Sequence, residues 1–209
     1  HLGVRPSRES LFLIITGPVG AYYPEGFAPI KIYVEPEYSR VAPGGGGEVK
    51  AAANYAASLF SAEEAHKKCH TQLLWLDPCE HKYVEEVGSM NMFFVIDDEV
   101  ITSPLAGTIL PGVTRDSVLT LAREWGKISE RLLSIDEIVE ASQSGRLQEA
   151  FGSGTAAVIS PVGTLNYKGQ DYKVGDGSTG PLTQRLYDEI VGIQYGSRPD
   201  SRGWVTLVN

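Results

Sequence analysis

Apolar residues recur along the chain in two rhythms. The first is short and continuous. SLFLIITG (residues 10–17), APIKIYVEP (28–36) and TQLLWLD (71–77) each hold an apolar run between turn-forming residues, the pattern of buried strands. KYVEEVGSMNMFFVIDDEVITSP (82–104) reads as strands joined by turns, with Asp97, Asp98 and Glu99 closing a hairpin. EAFGSGTAAVISPVG (149–163) reads as strand, glycine-rich turn and strand, and NYKGQDYKV (166–174) as a short hairpin.

The second rhythm has helical spacing. Residues 54–68 predict a helix with Tyr55, Leu59, Ala62 and Cys69 near one face and Asn54 as its N-cap. LPGVTRDSVLTLAREWG (110–126) enters a second helix with Val118, Leu121, Ala122 and Trp125 as its stripe and Gly126 as its stop. Ser134 and Glu137 form a capping box at a third. Pro181 opens a fourth, which turns Leu182, Leu186, Ile190 and Ile193 inward. Strands mixed with helices in this way predict an α/β domain whose strands do not all run parallel.

Composition narrows the classes. A chain of 209 residues predicts one domain, or one and a half. The net charge of −8 argues against a nucleic-acid surface, which needs a basic stripe against phosphates. The apolar run at residues 11–15 is far too short to span a bilayer, so no membrane is expected. No basic segment with a cleavage site opens the chain, which gives no sign of secretion, and a start at His1 fits a chain whose earlier residues lie outside it. Cys69 and Cys79 are too few for a disulfide framework. With His70 and His81 they miss the ligand spacing of structural zinc sites, so no metal is expected.

Candidate chemistry begins at GGGGEVKAAANYAASLF (44–60), where Lys50 follows backbone that a flat ligand can approach closely. Two stretches suit an anion. In LPGVTRDS a glycine precedes Thr114 at a helix start, where unpaired N–H groups and the positive dipole end are exposed. In FGSGTAA, Gly152, Ser153 and Gly154 let amides approach a ligand and Thr155 adds a hydroxyl. Together with the lysine they suggest a phosphate-bearing cofactor. On a strand, Glu85 and Glu86 point to opposite faces, so one is expected wet and the other inward. An inward carboxylate needs a cation, and a protonated ring nitrogen is one candidate; an edge strand with two solvated glutamates is the alternative.

GEVKAAANYAASLF, YVEEVGSMNMFFV, LPGVTRDSV, FGSGTAAVISPVG and GIQYG, in that order, resemble the class IV pyridoxal-phosphate aminotransferases, and within them the branched-chain amino acid aminotransferases. The resemblance covers the large C-terminal domain, a mixed sheet or pseudo-barrel with surrounding helices, and most of the small N-terminal domain is missing. It implies residues 1–19 as the end of that small domain, 20–30 as the interdomain connection and 31–209 as the large domain. It implies pyridoxal 5'-phosphate held as a Schiff base on Lys50, an amine that burial and a nearby cation would keep partly neutral. Glu86 would bond the pyridine nitrogen and Tyr55 the ring's phenolic oxygen, with Leu110, Val113, Thr114 and Thr155 as further cofactor contacts. Tyr22, Gln72, Ser89, Thr155 and Ala156 would line the substrate's place.

The implied reaction exchanges the amino group of leucine, isoleucine or valine with 2-oxoglutarate. The implied partners are those small molecules, the missing small domain and a second copy of the chain, in the cytoplasm, or in mitochondria if a targeting segment lies in the missing part. Ala52 and Ala53 stand where the family commonly has glycines, and Ala157 and Ser160 where mammalian members carry a Cys-x-x-Cys pair. A D-amino acid aminotransferase, an aminodeoxychorismate lyase of the same fold, and a non-catalytic phosphate-ligand module remain as alternatives.

Overall fold

The structure, a computed structural model, describes residues 3–18, 20 and 26–207. Its elements in chain order are β1 (Ile30–Val34), α1 (Ala52–Lys67), β2 (Gln72–Leu76), β3 (Val84–Val87), β4 (Met90–Ile96), β5 (Glu99–Thr102) and α2 (Val113–Trp125). There follow β6 (Lys127–Glu130), α3 (Ile135–Gln143), β7 (Leu147–Gly154), β8 (Val158–Tyr167), β9 (Gln170–Lys173) and α4 (Pro181–Gln194).

β1 pairs in parallel with β2 on one side and β8 on the other. The sheet continues antiparallel from β2 to β3 and from β8 through β7 to β4. β3 then pairs with β4 through Glu86↔Asn91 and Val87↔Met90, which closes six strands into a ring. Closure removes the unpaired edges that an open sheet of this size would expose. β5 and β6 extend outward from β4, and β9 from β8. The expected mixed α/β pseudo-barrel is what forms.

β4 shows how the sequence drives this. All seven residues of MNMFFVI are buried. Met92, Phe94 and Ile96 join β1, β2 and α3 in one core, and Phe93 and Val95 join α2 and α4 in another. Phe93 stacks on Phe151 of β7 at 5.1 Å between centroids. Burying one such side chain stabilises the fold by about 2–3 kcal/mol. The β4–β5 turn places Asp97 and Asp98 at φ 52° and 62°, the left-handed pair that a tight hairpin requires and aspartate tolerates.

The stripes read for α2 and α4 pack as expected, with Val118, Leu121, Leu186 and Ile190 in one core. Three expectations are corrected. Residues 11–15 form no strand and their side chains are exposed; no strand among the described residues lies beside them, and a strand persists only when its N–H and C=O groups are paired. In α1 the N-cap is Ala51 and the buried residues are Ser61 and Ala65, whereas Leu59 and Cys69 are exposed. Small side chains let this helix sit close on Leu73 and Trp75 of β2, so no large apolar stripe marks its inner face. Asn54 instead donates to the carbonyls of Gly46 and Val49, tying down the glycine loop. At α3 only half of the capping box forms: Ser134 Oγ accepts from Glu137 N–H, but the Glu137 carboxylate is taken by Arg131.

Candidate functional site

The register of β3, β4 and β7 puts Glu86 opposite Asn91 and Asn91 opposite Ser153, three polar residues in a row across a sheet otherwise filled with apolar side chains. Directly paired residues share a face. Glu86 is 3% exposed. Its Oε1 accepts from Leu110 N–H at 2.9 Å and from Asn91 Nδ2 at 3.2 Å. Its Oε2 lies 2.6 Å from Arg40 Nε, a charge contact rather than an aligned hydrogen bond. Burial pushes the Glu86 carboxyl up to about 7; Arg40 and the Leu110 amide pull the other way.

The expectation that one of the two neighbouring glutamates is wet is overturned. Glu85 is also buried, at 8%, because the loop leading to α2 covers it: Thr108 Oγ1 donates to its carboxylate, and burial raises its pKa.

Lys50 and Tyr55 stand at the entrance to α1. The Lys50 amine donates to Tyr55 Oη at 2.9 Å. Lys50 is exposed rather than buried, which corrects that part of its reading, and its amine is tied to Tyr55, which itself lines a recess. Tyr55, Glu86, Arg40, Gly88, Ser89 and Leu110 line one recess, so hydroxyl and carboxylate face the same space. The glycine loop is fastened there. A Cβ on Gly47 would meet Gly107 O and Thr108 Cα at 2.6 Å, and Arg40 donates to the carbonyls of Gly47, at 2.8 Å, and of Thr108.

The two anion stretches belong to the same end of the barrel. Gly112, the N-cap of α2, lies so close against Asn91 that a Cβ there would collide with Asn91 Oδ1. No side chain caps α2, so Val113 and Thr114 begin a helix whose first-turn amides have no intrahelical partner. Across the sheet, Thr155 and Ala156 are exposed in the β7–β8 turn, and Gly154 packs on Met90 beside the β3–β4 turn that carries Ser89. The Ser153 hydroxyl between them is buried without a partner. Gln72 on β2 is half-buried with its amide against Gly88, at the edge of the recess. Tyr22 lies outside the described residues. Ala52 and Ala53 form the exposed first turn of α1.

Sequence reasoning missed Arg40 and Asn91. Asn91 was readable: a two-residue turn at Gly88 and Ser89 fixes the hairpin that sets it opposite Glu86. Arg40 carried no comparable signal, because its meeting with Glu86 depends on barrel closure. A larger cleft, about 410 Å³, lies elsewhere, lined by Val95, Trp125, Lys127, Gln148 and Leu182. It contains none of the candidate residues, and its size is no argument against the smaller recess where the chemistry converges. No group of three or more His, Cys, Asp or Glu among the described residues is placed to hold a metal ion. No helix among them is long and apolar enough to cross a membrane.

Comparison with known proteins places the chain in a family. The chain is 50% identical over 208 residues to branched-chain-amino-acid aminotransferase 2 of Bacillus subtilis (strain 168), covering 99% of itself and 57% of that protein. It is 52% identical over 209 residues to a probable branched-chain-amino-acid aminotransferase of Staphylococcus aureus (strain N315), covering 58% of it. The crystal structure of the Escherichia coli branched-chain amino acid aminotransferase superposes with a TM-score of 0.79 at 32% identity, over 92% of this chain and 60% of that one. The branched-chain amino acid aminotransferase from Thermobaculum terrenum, in its PLP-form, superposes with a TM-score of 0.74 at 29% identity, over 85% of this chain and 56% of that one. The chain thus spans less than two thirds of each of these relatives. A model of the family described as amino-transferase class IV matches residues 20–165, and the chain belongs to that family.

Proposed function

We propose that this chain is the cofactor-binding part of an enzyme that transfers the amino group of branched-chain L-amino acids to 2-oxoglutarate, with pyridoxal 5'-phosphate bound at Lys50. One observation carries the reading: the Tyr55 phenol, which accepts from the Lys50 amine at 2.9 Å, shares a recess with the buried Glu86 carboxylate. The residues present fit the cofactor. Glu86 suits a ring N–H, Tyr55 a phenolic oxygen, and the open first turn of α2 with Thr114 and Thr155 suits a phosphate dianion. Leu110 and Val113 stand on the same loop and helix start.

When bound, pyridoxal phosphate supplies an electron sink for the pair released as the substrate's α-C–H bond breaks. The chain's own groups do the rest. The Lys50 amine would take the α-proton at Nζ and give it back later in the exchange. Tyr55 Oη, already hydrogen-bonded to that amine, itself lines the recess and would steady the amine beside it. Glu86 keeps a proton on the ring nitrogen by remaining an anion. Gln72, Ser89, Thr155 and Ala156 border the space left for the substrate, and Tyr22 is assigned there by resemblance.

The branched-chain substrate class rests on the names of relatives 50% and 52% identical to this chain. The division at residues 19 and 30 is part of this reading, and the first strand of the barrel, Ile30–Val34, supports the second boundary. A second copy of the chain is the partner this reading carries, and the exposed Val49 at the recess suits such a contact. A cytoplasmic location goes with the two free cysteines.

The test is direct. Full-length protein loaded with pyridoxal phosphate should change its visible absorption on adding leucine and release glutamate from 2-oxoglutarate, and Lys50→Ala should abolish both. Borohydride reduction followed by peptide mapping should place the cofactor on Lys50; its recovery on another lysine, or turnover surviving in Lys50→Ala, overturns the proposal.

A further inference from the structure

We infer that Arg40 is a positioning residue that keeps the Glu86 carboxylate charged and aimed into the recess, and so decides whether a basic ring nitrogen is held there as its cation. The inference rests on the reading of the recess as a pyridoxal-phosphate site and adds a residue that the reading does not use.

Three contacts carry it. The Arg40 side chain is 9% exposed and its Nε lies 2.6 Å from Glu86 Oε2. Its terminal Nη2 donates to the carbonyls of Gly47 and Thr108, which pin the far end of the guanidinium to two separate loops. The fork is thereby fixed with Nε turned to the carboxylate, and a rigid planar donor of this kind has no lysine equivalent.

The charges around Glu86 make Arg40 decisive. β3 itself adds Glu85, a like charge; the start of α1 adds Lys50, more weakly; Asn91 from β4 and the Leu110 amide contribute neutral donors. Arg40 is the strongest of the groups that hold the acid ionised against its burial, and with all of them acting the carboxyl stands at about 7. A protonated Glu86 has no charge to offer a ring N–H, and the proton on the ring would be lost with it. Because Arg40 also fastens the loop before Lys50, a purely structural role is the competing account, and the test must separate charge from fastening.

Two variants do so. Arg40→Gln is neutral but still able to donate to a carbonyl, and Arg40→Lys keeps the charge but loses the fork. Two readouts apply to the full-length protein. The first is the ratio of dissociation constants for pyridoxal 5'-phosphate and its 1-deaza analogue, which lacks the ring nitrogen. The second is the titration of the Glu86 carboxyl in cofactor-free protein, followed by carbon-13 NMR and assigned with Glu86→Gln.

The parent should prefer the nitrogen-containing ligand by about tenfold or more, the equivalent of one pKa unit. Arg40→Gln should lose that preference and move the Glu86 midpoint to higher pH, and Arg40→Lys should retain most of both. Equal effects in the two variants, or no effect of Arg40→Gln on either readout, reduce Arg40 to a fastener and overturn the inference. If Arg40→Gln does not fold, Arg40→Lys decides alone: preference kept supports the inference, and preference lost overturns it. A parent that binds neither ligand refutes the cofactor reading instead, while the titration still decides whether Arg40 sets the charge on Glu86.

Discussion

α2 and α4 begin alike and end in different uses. Each has a glycine N-cap, Gly112 and Gly180, pressed against a buried polar side chain from the sheet, Asn91 and Glu149 respectively. At α4 the sheet supplies an anion. The Glu149 carboxylate accepts from Leu182 N–H at 3.0 Å, Thr183 N–H at 2.8 Å and Thr183 Oγ1 at 2.6 Å, so the positive end of the helix is answered from within. At α2 the sheet supplies a neutral amide that is spent elsewhere, on Glu86 and on the Leu110 carbonyl, and the first-turn amides are left uncapped. A helix start closed by its own protein is a structural joint. One left open beside the Asn91 that bonds a buried acid is the start to which the proposed function assigns an external anion.

The sharpest way to break that contrast is at α4. Glu149→Ala should destabilise the protein by about 3 kcal/mol, because it leaves buried donors unanswered at a helix start, and should leave pyridoxal phosphate affinity unchanged. Urea unfolding and ligand titration check the two halves. A large loss of affinity in the folded variant would erase the distinction between the two helix starts.

The second test uses pH. Glu86 is pushed up to about 7 in the folded protein from an ordinary value near 4.5, so between those values the native state binds the proton more tightly than the unfolded chain. The stability it contributes is full below about 4.5 and is lost as pH rises through about 7, an effect on the order of 3 kcal/mol. In cofactor-free protein, Glu86→Gln should remove this part of the slope of unfolding free energy against pH. An unchanged slope would show that the acid is less desolvated than its 3% exposure implies.

The smallest expected effect is at α2. Gly112→Ala sets a methyl against Asn91 Oδ1, whose amide is held by Glu86 and Leu110 and can yield only at their cost. Affinity for pyridoxal phosphate should fall roughly tenfold, with about 1 kcal/mol lost in stability. Equilibrium dialysis and thermal unfolding give both figures.

What could be read in advance follows from how each feature is encoded. α4 was legible because Pro181 marks its first turn and Leu186, Ile190 and Ile193 recur on one face. The β4–β5 hairpin was legible because Asp97 and Asp98 interrupt two apolar runs. The buried face of α1 was not, since Ser61 and Ala65 go inside while Leu59 and Phe60 remain out, which inverts the signal that hydrophobic spacing supplies. Lys50, Tyr55 and Glu86 were assigned by resemblance, and local chemistry only made each of them plausible. Arg40 stayed hidden for a geometric reason: no local rule reports which residues a closed ring of strands will bring together.

Four glycines before a lysine look like slack. Position 47 shows the opposite, since its α-carbon rests on the backbone at 107 and 108 with no clearance for even one more carbon. The run is therefore a bearing surface at one of its points, and the reach of the amine at position 50 is set by contact between two loops rather than by play within one.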